Sequence, residues 1–237
     1  MGNKIKKITF TKTIESISDD YSPKPASRII PEWYKKTKPY FGNSKKQELD
    51  ENFQPLETIK KCIPVLDVLS TGYIIPTYCD LWVRKNENGE IVYATSGEVN
   101  ILFHPVIQAP YHPKMNHHPY PKWNNPWAIE TPKGYSSLFI PPVHGGNKYF
   151  SIIEGVVDTD IYPSPVLFPF VLNDVNFEGL IPAGTPMVQV IPIKRDEWNM
   201  EMGNDYNREK SREAQRKLTS MFFDRYKQFF WDRKSYN

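Results

Sequence analysis

Two groups of side chains in this sequence have types and spacings that could do chemistry. His104, His112, His117 and His118 fall within fifteen residues, and Asp158 and Asp160 flank Thr159 at the end of an apolar run. Imidazoles bind zinc, iron or copper. The spacing H-x7-H-x4-HH matches no standard ligand pattern, and adjacent His117 and His118 point apart in an extended segment. No Asp, Glu or Cys lies between residues 99 and 129 to complete a set. The expectation is therefore a loop of solvated and aromatic-packed histidines, with these four as weak metal candidates and no metal assigned. Tyr111, Tyr120, Trp123 and Trp127 share the region and suit a ligand or partner surface equally well. The aspartate pair reads first as a turn-fixing device, since short carboxylates hydrogen-bond to backbone N–H groups in tight turns.

Charge narrows the class of partner. The chain has 237 residues, with 30 Lys and Arg against 27 Asp and Glu, a net charge of +3. That is too small to imply nucleic acid. Both ends are basic and the middle is near neutral. In Trp33-Tyr34-Lys35-Lys36, aromatics sit beside lysines in a way that can stack bases, but the same composition suits an arm wrapping a neighbouring subunit. The expected partners are further copies of the chain or other proteins, and nucleic acid is not expected. Cys62 and Cys79 sit in apolar settings and read as two reduced core thiols. The start, MGNKIKKITF, lacks the apolar run of a secretory signal, and no stretch approaches the roughly 18 apolar residues of a membrane span. A cell-interior protein with no membrane partner is expected.

The elements that must position these groups are mostly strands. Twenty-two prolines, 12 glycines and 14% aromatics favour short strands and loops over helices. Three regions follow: a basic, proline-rich N-terminal arm over 1–55, a core over 56–200, and an amphipathic helix over 201–237. In the arm, ITFTKTI at 8–14 alternates as a strand does, and Ser22 to Phe41 reads as extended chain anchored by Trp33 and Tyr34. A short helix is expected over LETIKKC, after Pro55. The segment from Gly72, turned at Asn88-Gly89, predicts a hairpin with a two-residue turn. Residues 104–126 predict a long loop without regular structure, a length that is often functional. Strands are expected in PWAIET, YSSLFIPP, FSIIEGVVDTD and PVLFPFVL, then two more around Ala183-Gly184. From Asp205 on, Ala214, Leu218, Met221, Phe222, Arg225 and Phe229 recur at helical spacing, capped by Asn204 or Asp205. That helix is expected to pack on its own core.

The order of motifs resembles a known superfamily. Gly155-Val156-Val157-Asp158-Thr159-Asp160, followed by Ala183-Gly184-Thr185-Pro186-Met187-Val188-Gln189-Val190-Ile191, resembles the deoxyuridine triphosphatase and deoxycytidine triphosphate deaminase superfamily, a β-clip fold. Thr71-Gly72-Tyr73 is similar to its first motif, and Thr131 to Leu138 falls where its serine-bearing second motif lies. The likeness spans residues 71–195. It implies that Asp158 acts as the base that activates water, with Asp160, Tyr162, Tyr73, Ser136 and Gln189 around a ligand. It also implies magnesium if nucleotides are hydrolysed. Three parts of that apparatus are missing: Ile74 follows where the first motif has its aspartate, Lys133-Gly134 replaces the second motif's arginine, and a basic helix replaces the glycine-rich C-terminal arm. Phosphoryl transfer depends on such charge stabilisation.

A closer likeness covers nearly the whole chain. The arm from Pro25 to Lys35, the TIKKC stretch, TPKGYSSLF, GVVDTD and FEGLIPAGTPMVQVIPIKRD occur in the same order in an uncharacterised family encoded by tailed phages, notably T4-like phages of marine bacteria, and by some bacteria. The combined expectation is a mostly-β protein: a β-clip (deoxyuridine triphosphatase-like) core with an extended N-terminal arm and a C-terminal amphipathic helix. It would act in binding or assembly, as a bacteriophage structural protein in the virion or in the host cytoplasm, with no certain cofactor. A nucleotide-binding or nucleotide-hydrolysing enzyme is the alternative.

Overall fold

A computed structural model describes residues 5–43, 46, 47, 49, 56–96, 101–108, 112, 113, 120–219 and 225–237. The strands, in chain order, are β1 (Thr9–Lys12), β2 (Lys24–Pro25), β3 (Gly42–Asn43), β4 (Lys46–Gln47), β5 (Tyr73–Pro76), β6 (Leu81–Lys85), β7 (Ile91–Thr95) and β8 (Leu102–His104). They continue as β9 (Tyr120–Trp123), β10 (Trp127–Glu130), β11 (Tyr135–Ile140), β12 (Phe150–Ile152), β13 (Gly155–Val157), β14 (Phe168–Leu172), β15 (Gly179–Ile181) and β16 (Pro186–Lys194). The helices are α1 (Glu32–Lys36), α2 (Ile63–Ser70), α3 (Asp205–Thr219) and α4 (Arg225–Phe229). Among the described residues the fold is mostly β, every sheet is antiparallel, and two helices lie near the C-terminus, followed by a non-helical tail. Among the described residues no helix is long and apolar enough to cross a membrane.

Two sheets carry the core. One runs β13-β11-β16-β5-β2, the other β12-β14-β9-β8, with β15-β6-β7 beside them and β1 paired to β10. β14 alternates strictly, with Phe168, Phe170 and Leu172 buried, as a strand with one face on the core must. Trp123 stacks on Phe170 at 5.8 Å, and Phe150 packs against Phe170 at 5.1 Å. Each ring so buried contributes about 1.5–3 kcal/mol. β16 departs from alternation: Met187, Val188, Gln189 and Val190 are all buried. One face meets the aromatic core and the other lies under α2, so both faces need shielding.

The N-terminal segment is built into these sheets. β1 pairs with β10, and β2 joins the edge of the five-stranded sheet through β5. Tyr34 is the buried anchor expected of the arm, whereas Trp33 stays partly exposed and donates its indole N–H to the His144 carbonyl at 2.9 Å.

Several expectations are corrected. Over LETIKKC, where a helix is expected, there is a single 3-10 turn, Ile59–Lys61, capped by Thr58, and the α-helix begins later, at Ile63, with Pro64 in its first turn, where a missing N–H costs no hydrogen bond; Pro55 lies outside the described residues. β6 and β7 do form the hairpin, but Asn86 N donates to the Glu90 carbonyl, so the loop is three residues long. Only Gly89 there has positive φ, which fits a type I turn closed by a left-handed glycine. The long loop 104–126 contains β9, an interior strand of its sheet, because burying Trp123 and Tyr120 outweighs the pairing that Pro121 forgoes. β15 and β16 flank Ala183-Gly184 without pairing with each other: β15 joins β6, and β16 joins β5 and β11. Cys79 is buried but Cys62, the residue before α2, is exposed.

Over its described residues the C-terminal helix is not packed on the core. Between residues 205 and 218 only Ala214 is partly shielded. Asn204 caps α3, exchanging hydrogen bonds with Asn207 at 3.1 and 3.2 Å. The helix is held by ion pairs of its own, Arg208–Asp205, Arg212–Glu209 and Lys217–Glu213. The apolar positions expected to seat it include Met221 and Phe222, which lie outside the described residues.

Candidate functional site

The turn after β13 collects most of the chemistry that the sequence singled out. β13 pairs with β11 and β11 with β16, so three strands bring residues 134–137, 157–160 and 194–195 together. The Asp158 carbonyl accepts from the N–H groups of Ile161 and Tyr162, both at 2.9 Å, which closes the turn. Arg195 N donates to the Gly134 carbonyl at 2.9 Å, extending the pairing one step beyond β16.

Side chains then lock this frame. Asp160 receives the Arg195 guanidinium on both carboxylate oxygens and the Gly134 backbone N–H on Oδ2 at 2.7 Å. Its side chain is only 3% exposed. The guanidinium bonds outweigh the cost of burial and hold the Asp160 carboxyl down to about 2. Asp158 Oδ1 accepts from Ser136 Oγ at 2.6 Å and lies 3.2 Å from Arg195 Nη1. Arg195 Nη1 also donates to Ser136 Oγ and to the Tyr135 carbonyl, each at 3.1 Å. The Asp158 side chain is 54% exposed. Asp160 is thus the turn-fixing carboxylate that the sequence suggested, bonded to backbone and cation, while Asp158 reaches a hydroxyl and that cation and keeps Oδ2 outside these contacts.

Below the carboxylates runs a line of buried hydroxyls. Thr131 Oγ1 donates to the Tyr135 carbonyl at 2.9 Å and lies 2.7 Å from Thr159 Oγ1, which is 2.9 Å from Ser137 Oγ. Each hydroxyl has one proton. Because that of Thr131 goes to the carbonyl, Thr159 donates to Thr131 and Ser137 to Thr159. All three are therefore satisfied without a charge, and the turn is welded to β11.

The other expected site residues are dispersed. Tyr162 is half exposed beside the turn, next to the exposed Ile161. Gln189 is wholly buried: its amide donates to the Val68 and Thr71 carbonyls at 2.9 and 2.7 Å and accepts from Val143 N at 3.2 Å. It ties β16 to the end of α2, and no hydrogen-bonding capacity of its amide N–H groups faces outward. Tyr73 meets Phe10 and Tyr236 edge-on at 5.4 and 6.0 Å, and burial raises its phenol pKa. His104 bonds to Gln108 and lies against Tyr120. His117 and His118 are outside the described residues, as is Tyr111. Among the described residues no three His, Cys, Asp or Glu side chains converge as metal ligands do, and His112 joins no such group.

Sequence reasoning missed Arg195, Thr131, Ser137 and Thr159. Ser137 on β11 and Thr159 in the turn after β13 each stand one position from an expected site residue, a usable signal once β11 and β13 are paired. Arg195 lies 35 residues from Asp160 and needs the β11–β16 register to be found.

What defines this molecule is a mostly-β frame of antiparallel sheets with a carboxylate–guanidinium–hydroxyl cluster at one turn. The chain matches no model of a known protein family, and a search of curated proteins finds no relative.

Proposed function

We propose that the chain is a non-enzymatic binding or assembly protein of the tailed-phage type, built on a β-clip-like scaffold and working as an oligomer in the virion or the host cytoplasm. The order of motifs along the sequence supports the phage and β-clip reading. The observation that carries the non-enzymatic part is the engagement of Arg195. A nucleoside triphosphate brings several negative charges, which need cations to stabilise them in the transition state. Arg195 at this turn is held by Asp160, Asp158 and Ser136, and the Lys6 ammonium is engaged over the Tyr135 ring at 4.8 Å. Nearby Lys194 is paired with Asp196. Asp158, Asp160 and Arg195 together carry one net negative charge, which repels a phosphate.

The test is pyrophosphate release from each deoxynucleoside triphosphate, with and without magnesium. No release above a protein-free control is expected. Hydrolysis that disappears in Asp158→Asn overturns the reading. It would support instead the alternative, a magnesium-dependent nucleotide hydrolase, which draws on the half-exposed side chains of Asp158 and Tyr162 at the same turn.

A further inference from the structure

The C-terminal residues return to the body after a long excursion. Trp231 Nε1 donates to both oxygens of Asp67 on α2, at 3.0 Å each, and Lys234 Nζ reaches Asp67 Oδ2 at 2.8 Å. Tyr236 meets the Tyr73 ring at right angles and shares a hydrogen bond with Thr71. Asp67 is 17% exposed, so it is a partly desolvated anion with a matched cation and indole. This is a specific seat for a short segment of this very chain.

The stretch that leads to the seat makes little use of its own body. Past Arg195 the chain runs without strand pairing to α3, which is exposed and held by its internal ion pairs. Trp198, Met200 and Met202 are 89%, 87% and 82% exposed. They alternate, so in extended chain they fall on one face. Tyr206 and Leu218, near the two ends of α3, are exposed as well. A closed monomer leaves all of these in water, at about 25 cal/mol for each Å² of apolar area.

We infer that this segment is exchanged between two copies: Trp231, Lys234 and Tyr236 of one chain seat on Asp67, Thr71 and Tyr73 of a second, and the reverse. This rests on the assembly reading and gives it a partner and an interface. Exchange keeps every contact of the seat, because the same residues meet in closed and exchanged forms. It adds the burial of one arm's Trp198–Met202 face against the other arm, which a closed chain lacks. Association entropy opposes it, and the added apolar burial offsets that cost. A helix stabilised by its own ion pairs suits the span, since it needs no support from either body.

Charge reversal distinguishes exchange from a clip within one chain. Asp67→Lys places two cations at the seat, and Lys234→Asp places two anions there. Wild type is expected to show a dimer mass by light scattering at micromolar concentration, and each single variant a monomer mass. In a mixture of the two variants, opposite charges meet at both seats only when unlike chains exchange tails, so the mixture is expected to recover dimer. A monomeric wild type, variants that keep the wild-type mass, or a mixture that stays monomeric each overturns the inference. Should a reversal unfold the chain, by circular dichroism, Trp231→Phe with Lys234→Met weakens the seat more gently. Dissociation of that dimer at a higher protein concentration than wild type is then the expected reading, and an unchanged dissociation overturns the inference. None of these outcomes touches the pyrophosphate assay, so the exchange can fail while the non-enzymatic reading stands, and the converse.

Discussion

The chain has two clusters of similar chemistry and opposite mechanics. At the turn after β13, Asp160 meets Arg195; at the end of α2, Asp67 meets Lys234 and the Trp231 indole. Both are carboxylates with a cation and a neutral donor. At the turn, the partners are already placed by the pairing of β11 with β13 and β16, so the side chains only tighten a frame that backbone bonds have built. At α2, the partners arrive on a tail with no strand pairing, so the side chains are the attachment. Identical chemistry therefore rivets in one place and clips in the other. What decides is how much backbone converges on it.

The harshest way to break the comparison is to remove the ground common to both clusters. Gly72 has φ +75 and faces β16, and a Cβ there would lie 2.1 Å from the Val190 carbonyl oxygen. Its neighbours Thr71 and Tyr73 receive the tail, while β16 leads to Arg195. Gly72→Ala has no space and the wrong backbone region, and should cost more than about 4 kcal/mol in urea unfolding. Both clusters should fail together, seen as soluble yield lost or a molten near-ultraviolet spectrum. A normally stable variant would show that the two clusters do not share this base.

Next in size is Asp160→Ala, which takes from Arg195 its two-oxygen acceptor and leaves Gly134 N without its acceptor. It should give the largest fall in melting temperature of any single change within the two clusters. The pH dependence follows the same pair. The Asp160 pKa is depressed from an ordinary 3.8 to about 2. The unfolded chain therefore binds a proton first as pH falls, so this stabilisation is complete above about pH 4–5 and is lost between there and about pH 2. In Asp160→Asn that part of the acid limb should flatten. An unchanged acid limb would detach the pair from stability.

How much was legible beforehand follows the same division. The strands around Ser136, Val156, Phe170 and Val188 were readable because apolar residues alternate or run between turn signals. The hydrogen-bond partners across those strands were not. Arg195 and Asp160 are joined by a register, and a register is set by which faces are buried together. Gln189 was expected around a ligand only through the resemblance of its motif; it instead satisfies the carbonyls at the end of α2. α3 was legible as a helix from its spacing and cap, but its packing was not. A helix dense in matched charges is stable without a core to lie on, and periodicity is the same in either setting.

The clip should respond more mildly than the rivet. Trp231→Phe keeps an aromatic ring and removes the N–H that bridges the two Asp67 oxygens. A loss of about 1.5 kcal/mol is expected, the lower end of what a hydrogen bond to a charged group contributes after solvent competes. Amide exchange near the C-terminus should rise while exchange in β11 and β16 stays as it was. Faster exchange in those strands as well would mean that the tail is part of the frame and not a clip on it.

Asp158→Asn should do least to stability, although its residue stood at the centre of the sequence reading. The amide keeps an oxygen for Ser136 Oγ–H, and Arg195 retains its bonds to both Asp160 oxygens. What is lost is a 3.2 Å contact to a side chain that is 54% exposed, where water screens charge, so a change below about 1 kcal/mol is expected. This near-neutrality makes the variant useful. A fold left intact by Asp158→Asn cannot explain a lost activity, so any nucleotide hydrolysis that vanished with it would belong to the carboxylate itself. The charge arrangement argues for no such loss. A base for hydrolysis needs a phosphate held beside it, and the guanidinium that would hold one is already bound by the aspartate two residues on.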